Sequence, residues 1–451
     1  EDFGIIAIST VIIQLCQVFS DAGLSQAIIQ SKKKVDKSTN FAFFSNMGIA
    51  SIMYIILFFS SGFISGIYDD ARLMLVIKIQ GINLLIKSLS AVQNALFSRN
   101  LNFKPVFFAT VSSVGISNVL IAIPLAFSGF SYWSLVIGVL CGSGIELIIL
   151  WLISDWRPRF IFDTSEFKHL LKFGVLVTVE FLLAWLSSSL AVIILGYYAS
   201  LTILGHYQLA FSLITSLFTA IFSATRPVWF SYFSKIQTDF AQIRVNYLKI
   251  NKLFASLSLP MGIGIFLSST FIVRTLFDPK WLGMENILAV LGFTFGINFA
   301  FFGLNPSIYR SINRPDLQPK ILFVRIMYQL PAYFLTIPLG INPFLIVLLV
   351  EPIVLFLFHF LAVYKVLKFN PFQIVKSVRK ILLSMLIMIT LIVIYRLTVI
   401  GLKDYVNLII IILLGVISYS LPLFLLEKPF IIEMKDMLIS RSGEKANQKE
   451  Q

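Results

Sequence analysis

Thirteen apolar runs, each about long enough to cross a bilayer, occupy nearly all of this 451-residue chain. They lie near residues 3–20, 41–65, 73–97, 106–127, 132–154, 173–198, 206–230, 250–274, 284–309, 319–339, 343–367, 380–398 and 405–427. Crossing the hydrocarbon core takes roughly 20 apolar residues. With no water there, each backbone N–H and C=O must bond within its own segment, so such runs are helices. A transmembrane barrel would instead alternate polar and apolar residues over about ten positions. The run Leu408-Ile409-Ile410-Ile411-Ile412-Leu413-Leu414 does not alternate. The expected class is therefore all-α and polytopic. Hydrophobic residues make up 58% of the chain and mean hydropathy is +0.89, which excludes a soluble fold.

Charge gives the orientation. The formal net charge of +14 invites a nucleic-acid reading, but its distribution argues against one. If the first span runs from outside to inside and the rest alternate, 27 of the 36 Lys and Arg fall on inside segments. The outside segments hold five: Arg72, Arg274, Lys280, Arg396 and Lys403. Lys78, Lys87, Arg226 and Arg325 lie further into spans. An excess of basic residues on cytoplasmic loops is the positive-inside rule. The basic excess thus reports topology, with a cytoplasmic C-terminus, and adds attraction to anionic membrane lipids. No nucleic-acid partner is expected. Residue 1 then sits outside and is Glu, with no charged n-region or cleavage site before it. The expectation is a chain lacking one preceding span, with about fourteen in the intact protein.

Catalytic chemistry is hard to place. The expected outside loops are short, at 66–72, 128–131, 199–205, 276–285, 340–342 and 399–404. The inside stretches 160–172 and 234–249 read as amphipathic helices at the membrane interface. The polar tail is expected to fray after Ser440. Cys16 and Cys141 fall in apolar runs and read as small buried hydrophobes. His169, His206 and His359 show no metal spacing, and no Gly-rich phosphate loop appears. Asp69-Asp70 resembles a nucleotide-sugar metal motif, but it falls outside, where such donors are absent. No metal and no cofactor are expected, and the chain does not read as an enzyme.

The spans carry polar stripes, which a transmembrane helix needs where it lines a cavity or meets a polar neighbour. Residues three, four or seven apart share a helix face. Thr10, Gln14, Gln17 and Asp21 follow such spacing in the first span, and Ser212, Ser216, Thr219, Ser223 and Arg226 do so in the seventh. Gly4 echoes Gly205, and Phe19-Ser20 echoes Phe222-Ser223, a weak repeat that points to two related halves. The plainer reading is hydroxyls bonding back to their own helices. In the third span Gln80, Asn83, Lys87 and Asn94 share a stripe with a mid-span charge. A charge at that depth costs about 2.5–3.5 kcal/mol on the insertion scale, so it calls for a partner or a water-filled lumen. If that stripe lines a lumen, Lys87→Ala is expected to abolish whatever passes through it and leave insertion intact. Glu146, Glu180 and Glu351 are further deep acids: each can pair with a base, carry a coupling proton or sodium ion, or sit neutral and hydrogen-bonded.

Several ordered segments carry a family resemblance: EDFGIIAIS with FSDAGLSQAIIQ at 1–30, SDWRPRF at 154–160, LLKFG at 170–174, ILGHYQLAFSL at 203–213, PVWFSYFSKIQTD at 227–239, FDPKW at 277–281 and SINRPDL at 311–317. In these the chain resembles bacterial Wzx-type polysaccharide flippases, the O-antigen, colanic-acid and teichuronic-acid exporters of the polysaccharide transporter family. These belong to the multidrug/oligosaccharidyl-lipid/polysaccharide exporter superfamily. The resemblance implies two six-helix lobes in a V around a central cavity plus two C-terminal helices. It also implies an undecaprenyl-pyrophosphate-linked glycan as substrate, polysaccharide polymerase machinery as a neighbour, and the bacterial inner membrane as location. The expected division is 1–155, 156–369, 370–427 and a tail at 428–451. Relatives often carry an Asp late in the seventh family span; here residues 190–196 read LAVIILG, so that acid's role does not transfer. Two other classes remain: an ion-coupled small-molecule exporter of the same fold, and a membrane-embedded polymerase or acyltransferase.

Overall fold

A computed structural model of the chain describes residues 1–21, 23–30, 35–100, 102–159, 167–222, 229, 232–234, 236–312, 314–370, 372–399 and 401–447, with side chains at all but 26, 27, 30, 35–38, 167–176 and 431–447 of these. Thirteen helices among them are long and apolar enough to span a membrane. They are α1 (Asp2–Asp21), α2 (Thr39–Ile67), α3 (Arg72–Arg99), α4 (Phe103–Phe127), α5 (Tyr132–Ile153), α6 (Val177–Tyr198) and α7 (Leu201–Phe222). There follow α8 (Phe240–Leu276), α9 (Glu285–Ser311), α10 (Leu317–Leu339), α11 (Ile341–Leu367), α12 (Arg379–Thr398) and α13 (Asp404–Phe430). Each overlaps one expected run; residues 223–228 and 230 of the seventh lie outside the described residues. Large apolar side chains stand exposed along them, as at Ile52, Ile55, Ile56, Phe59 and Phe63 of α2. Apolar surface on that scale requires lipid around it, and the protein is a multi-pass membrane protein.

The helices tolerate breakers that a soluble helix would not. Pro260, Pro331, Pro352 and Pro422 lie inside α8, α10, α11 and α13. In α4 a π-helical stretch, Ile116–Ala122, precedes Pro124 and absorbs the missing N–H.

Contacts divide the chain into two units, Glu1–Leu209 with Gln318–Phe344, and Ala210–Leu317 with Leu345–Gln451. Neither is contiguous in sequence. In the first, α1 is held near its start and at its middle. Gly4 leaves room for α7: a Cβ there would come within 2.6 Å of the Leu201 carbonyl oxygen. Gly205, its sequence echo, packs against Gly4 in turn. Trp185 of α6 donates to the Val11 carbonyl at 3.0 Å. In the turn before α3, Asp70 accepts from Arg72 Nη2 at 2.7 Å and Nε at 3.0 Å. Those bonds hold its carboxyl below the usual carboxylate range, so this acid is engaged by an arginine rather than presented to a metal.

In the second unit, α8 and α9 make the closest crossing. A Cβ on Gly262 would lie 2.7 Å from the Gly292 carbonyl oxygen and 2.8 Å from Gly296 Cα. The C-terminal pair α12 and α13 packs on α8 through Ala255, Leu259, Ile263, Ile381, Met388 and Ile411. Tyr419 donates to the Ser256 carbonyl at 2.7 Å, and Lys252 pairs with Glu427 at 2.7 Å. Glu427 leaves helical geometry at φ −127°.

Two local expectations change. Residues 240–249 do not form a separate interfacial helix, because Phe240–Leu276 is one helix of 37 residues. At 1.5 Å per residue it is about 55 Å long and overshoots a core of about 30 Å. Asp239 caps it by accepting from the Gln242 N–H at 2.9 Å, and no breaker follows before Pro260. The tail does not fray after Ser440: it is helical to Asn447, where Arg441, Glu444, Lys445 and Ala446 are good helix formers. Residues 160–166 of the other expected interfacial stretch lie outside the described residues.

Candidate functional site

The third span, α3, supplies the most concentrated polar face. It is two helical pieces, Arg72–Gln80 and Ile82–Arg99, joined at Gly81. Gln80, at the end of the first piece, is buried against α1. Its Oε1 accepts from Ser9 Oγ at 2.7 Å, and its Nε2 donates to Thr10 Oγ1 at 3.2 Å. The Thr10 and Gln80 stripes thus meet at a helix–helix contact, and the polar atoms of Gln80 are engaged there.

One turn on, Asn83 is buried, and among the described residues its Oδ1 has no hydrogen-bond partner; the Oδ1 of Asn94 is likewise buried and has none among them. Between them lies Lys87, about midway along α3. Its Nζ donates to Glu146 Oε2 of α5 at 2.7 Å. The lysine side chain is 40% exposed and the glutamate 13%. Among the described residues each is the other's one side-chain partner. The two deep charges that the sequence presents 59 positions apart therefore form a single pair. Its cationic end is open and its anionic end is covered.

In α1, Gln14 is exposed and Gln17 half-buried, and Asp21 accepts from Ser25. Ser212, Ser216 and Thr219 of α7 are exposed. The opposite face of that helix carries Ile214, Phe218 and Phe222, which are buried. Phe218 and Phe222 pack on Phe299 with ring centroids 5.3 and 4.9 Å apart. The stripe is thus one-sided, as its spacing implies, although Leu213, Leu217 and Ile221 are exposed beside it. Ser223 and Arg226 lie outside the described residues.

The remaining deep acids lie on other helices. Glu180 is half-buried on α6 in the first unit. Two turns on, Ser187 Oγ lies 3.0 Å from the Gln329 side chain of α10. With its amide nitrogen toward Ser187, Gln329 also accepts from Arg325 Nε and Tyr333 Oη at 3.2 Å. Arg325 therefore has an anchor inside the protein as well as a position near its span end. Glu351, in the second unit, is buried on α11. At 190–195, where relatives often place an acid, Leu190, Ala191, Val192, Ile194 and Leu195 are buried.

One polar cluster escaped the sequence reading. Tyr247 of α8 donates to Asn305 Oδ1 at 2.8 Å, and Asn305 Nδ2 lies 3.1 Å from Nδ1 of His359 on α11. Tyr309 Oη is 3.3 Å from the same nitrogen, and Phe302 stacks on the imidazole at 4.6 Å. The available signal was the one-turn spacing of Asn305 and Tyr309 alongside a mid-span histidine.

A profile of the family described as "Polysaccharide biosynthesis protein" matches residues 1–286, more than half of the chain. The chain belongs to this family. Among its relatives is the teichuronic acid biosynthesis protein TuaB of Bacillus subtilis (strain 168), 27% identical over 307 residues, which are 67% of this chain and 62% of TuaB. The lipopolysaccharide biosynthesis protein WzxC of Escherichia coli (strain K12) is 23% identical over 64% of this chain and 59% of its own. The succinoglycan biosynthesis transport protein ExoT of Rhizobium meliloti (strain 1021) is 22% identical over 66% and 60%. The chain thus spans about three-fifths of the length of these relatives. Among solved structures, the lipid II flippase MurJ in an inward closed conformation matches with a TM-score of 0.77 at 18% identity, over 95% of this chain and 94% of that one. An inward-facing multidrug resistance MATE family transporter matches at 0.64 and 14%, over 81% and 90%. The fold is shared with these proteins, and the family agrees with the Wzx-type resemblance.

Proposed function

We propose that this protein carries an undecaprenyl-pyrophosphate-linked oligosaccharide from the cytoplasmic to the outer leaflet of a bacterial cell membrane, for surface polysaccharide synthesis. The observation that carries the reading is Lys87, a mid-span ammonium that stays 40% exposed although it has a carboxylate partner. An exposed charge at that depth is costly against hydrocarbon, so its open side faces an aqueous path. A lipid pyrophosphate is the anion that needs such a path, since a bare ion crosses hydrocarbon at great cost and an ammonium offers it charge-assisted bonds. In the same unit, the exposed Gln14 supplies an amide partner for sugars. The names of TuaB, WzxC and ExoT, and the flippase fold of MurJ, support the same reading.

On this reading the basic segments and the C-terminus are cytoplasmic and meet anionic lipids, and the chain performs no catalysis. By sequence, residues 1–155 and 156–369 are the two lobes on this reading, with 370–427 as an added pair of spans, a division that differs from the two contact units. A proton or sodium gradient drives the cycle through one of Glu146, Glu180 and Glu351. A polysaccharide polymerase takes the unit on the far side.

Deleting the gene tests the reading. The mutant should lose surface glycan while lipid-linked units accumulate on the inner leaflet. Wild-type protein should restore the glycan, and Lys87→Ala should not. Unpolymerised units accumulating on the outer leaflet would identify a polymerase instead. The likeness to a multidrug transporter favours one second reading, an ion-coupled small-molecule exporter. That reading predicts drug sensitivity in the mutant with surface glycan unchanged.

A further inference from the structure

We infer that Glu146 is a resident competitor for Lys87: it occupies the ammonium in the empty site and must be displaced, wholly or in part, by the phosphate group of an arriving ligand. This inference rests on the proposed function, and deepens it by assigning Glu146 a part in release. The geometry is asymmetric. Glu146 Oε2 already lies at 2.7 Å from Nζ, a full charge-assisted bond, from a side chain only 13% exposed. The lysine is 40% exposed, so an anion reaches it from the side away from the acid. An ammonium has three donors, and among the described residues this one has Glu146 as its one partner. A phosphate can therefore engage a second N–H before the first is given up.

Two anions on one cation repel each other, so Glu146 weakens the grip of Lys87 on any phosphate. That weakening is useful to a carrier. A site built of a bare buried lysine would hold a pyrophosphate and be slow to let it go, whereas a carboxylate at contact distance reclaims the ammonium as the anion departs. Within this inference Glu146 is a positioning and release residue: it acts on the ligand through Lys87 and touches no substrate atom. Its negative charge is the working part. The neutral isostere Gln keeps the shape and a hydrogen-bonding oxygen while removing the competition.

The test uses the full chain in lipid nanodiscs with two probes, undecaprenyl pyrophosphate in the bilayer and inorganic pyrophosphate in solution. Equilibrium binding and dissociation rate are measured for wild type, Glu146→Gln, Glu146→Asp and Lys87→Ala. Glu146→Gln should bind the lipid at least tenfold tighter and release it correspondingly more slowly. Glu146→Asp, whose shorter side chain withdraws from Nζ, should fall between Gln and wild type. A merely structural role for Glu146 would loosen binding, never tighten it. If inorganic pyrophosphate shows the same tightening, the subsite reads free phosphate groups; if only the lipid does, it reads the phosphate in a membrane setting. Binding by Lys87→Ala equal to wild type would remove the proposed site altogether. Loss of binding in Lys87→Ala with no tightening in Glu146→Gln or Glu146→Asp would overturn the competitor alone. Should Glu146→Gln unfold, the Asp variant carries the comparison.

Discussion

Lys87→Ala should destabilise the first unit even though it removes a charge from mid-membrane. The reason is Glu146, which the substitution leaves 13% exposed and without its 2.7 Å partner. The magnitude is bounded from two sides. At 2.7 Å, with an effective dielectric of about 20, the gross attraction is about 6 kcal/mol. Exposure of the lysine at 40% lets water screen most of that, and exposed pairs contribute only about 0.2–1 kcal/mol. Removing one partner of a fully buried pair costs about 3–5 kcal/mol, because the other charge is stranded. A pair open at one end and covered at the other falls between, so the expected loss is about 1–3 kcal/mol. Glu146→Gln strands only the exposed lysine and should cost less, within about 1 kcal/mol. The double variant Lys87→Ala/Glu146→Gln should recover most of the loss. The assay is equilibrium unfolding in mixed micelles, followed by tryptophan fluorescence, with all four proteins treated as a double-mutant cycle. A double variant as unstable as Lys87→Ala alone would refute the argument, because the damage would then be lost packing of the lysine stem rather than a stranded carboxylate. The expectation that Lys87→Ala leaves insertion intact stands beside this one, since insertion and folded stability are separate steps.

Two further outcomes follow from the packing. Gly262→Ala should be less stable than Gly264→Ala by about 1–3 kcal/mol. Both gain the same helix propensity, but a Cβ at Gly262 meets backbone at 2.7 and 2.8 Å whereas one at Gly264 meets nothing within 4 Å. Equal melting temperatures for the two would show that α8 and α9 do not cross this closely. At the turn before α3, the Asp70 carboxyl is held below its ordinary value near 3.8 by Arg72. A depressed folded-state pKa gives stability that is complete above the ordinary value and is lost as pH falls through the folded one. Wild type should therefore lose more stability than Asp70→Asn as pH drops below about 4. Parallel acid profiles would remove the pair from the account.

The number of spans was legible in the chain because the solvent leaves the backbone no alternative: an apolar run of sufficient length is a helix in lipid whatever surrounds it. The family was legible too, since its segments keep their order along the chain. Stripes with strict three- and four-residue spacing were readable as faces, and Ser212, Ser216 and Thr219 do share one. What the sequence could not determine is which apolar face each helix turns inward. In water, burial separates apolar from polar residues. In lipid, the surroundings are as apolar as the core, and that contrast vanishes. Leu213 and Ile214 are chemically alike neighbours, yet one is 37% exposed and the other 2%. Only packing decided that, through small residues that let helices approach, as at Gly262 and Gly296. Packing likewise decided that Gln80 meets Thr10 in a helix contact and that Tyr247, Asn305 and His359 form one cluster. It brought Lys87 to Glu146 across 59 residues of chain, because two deep charges in a low-dielectric medium are most stable together, and hydropathy carries no record of which two will meet.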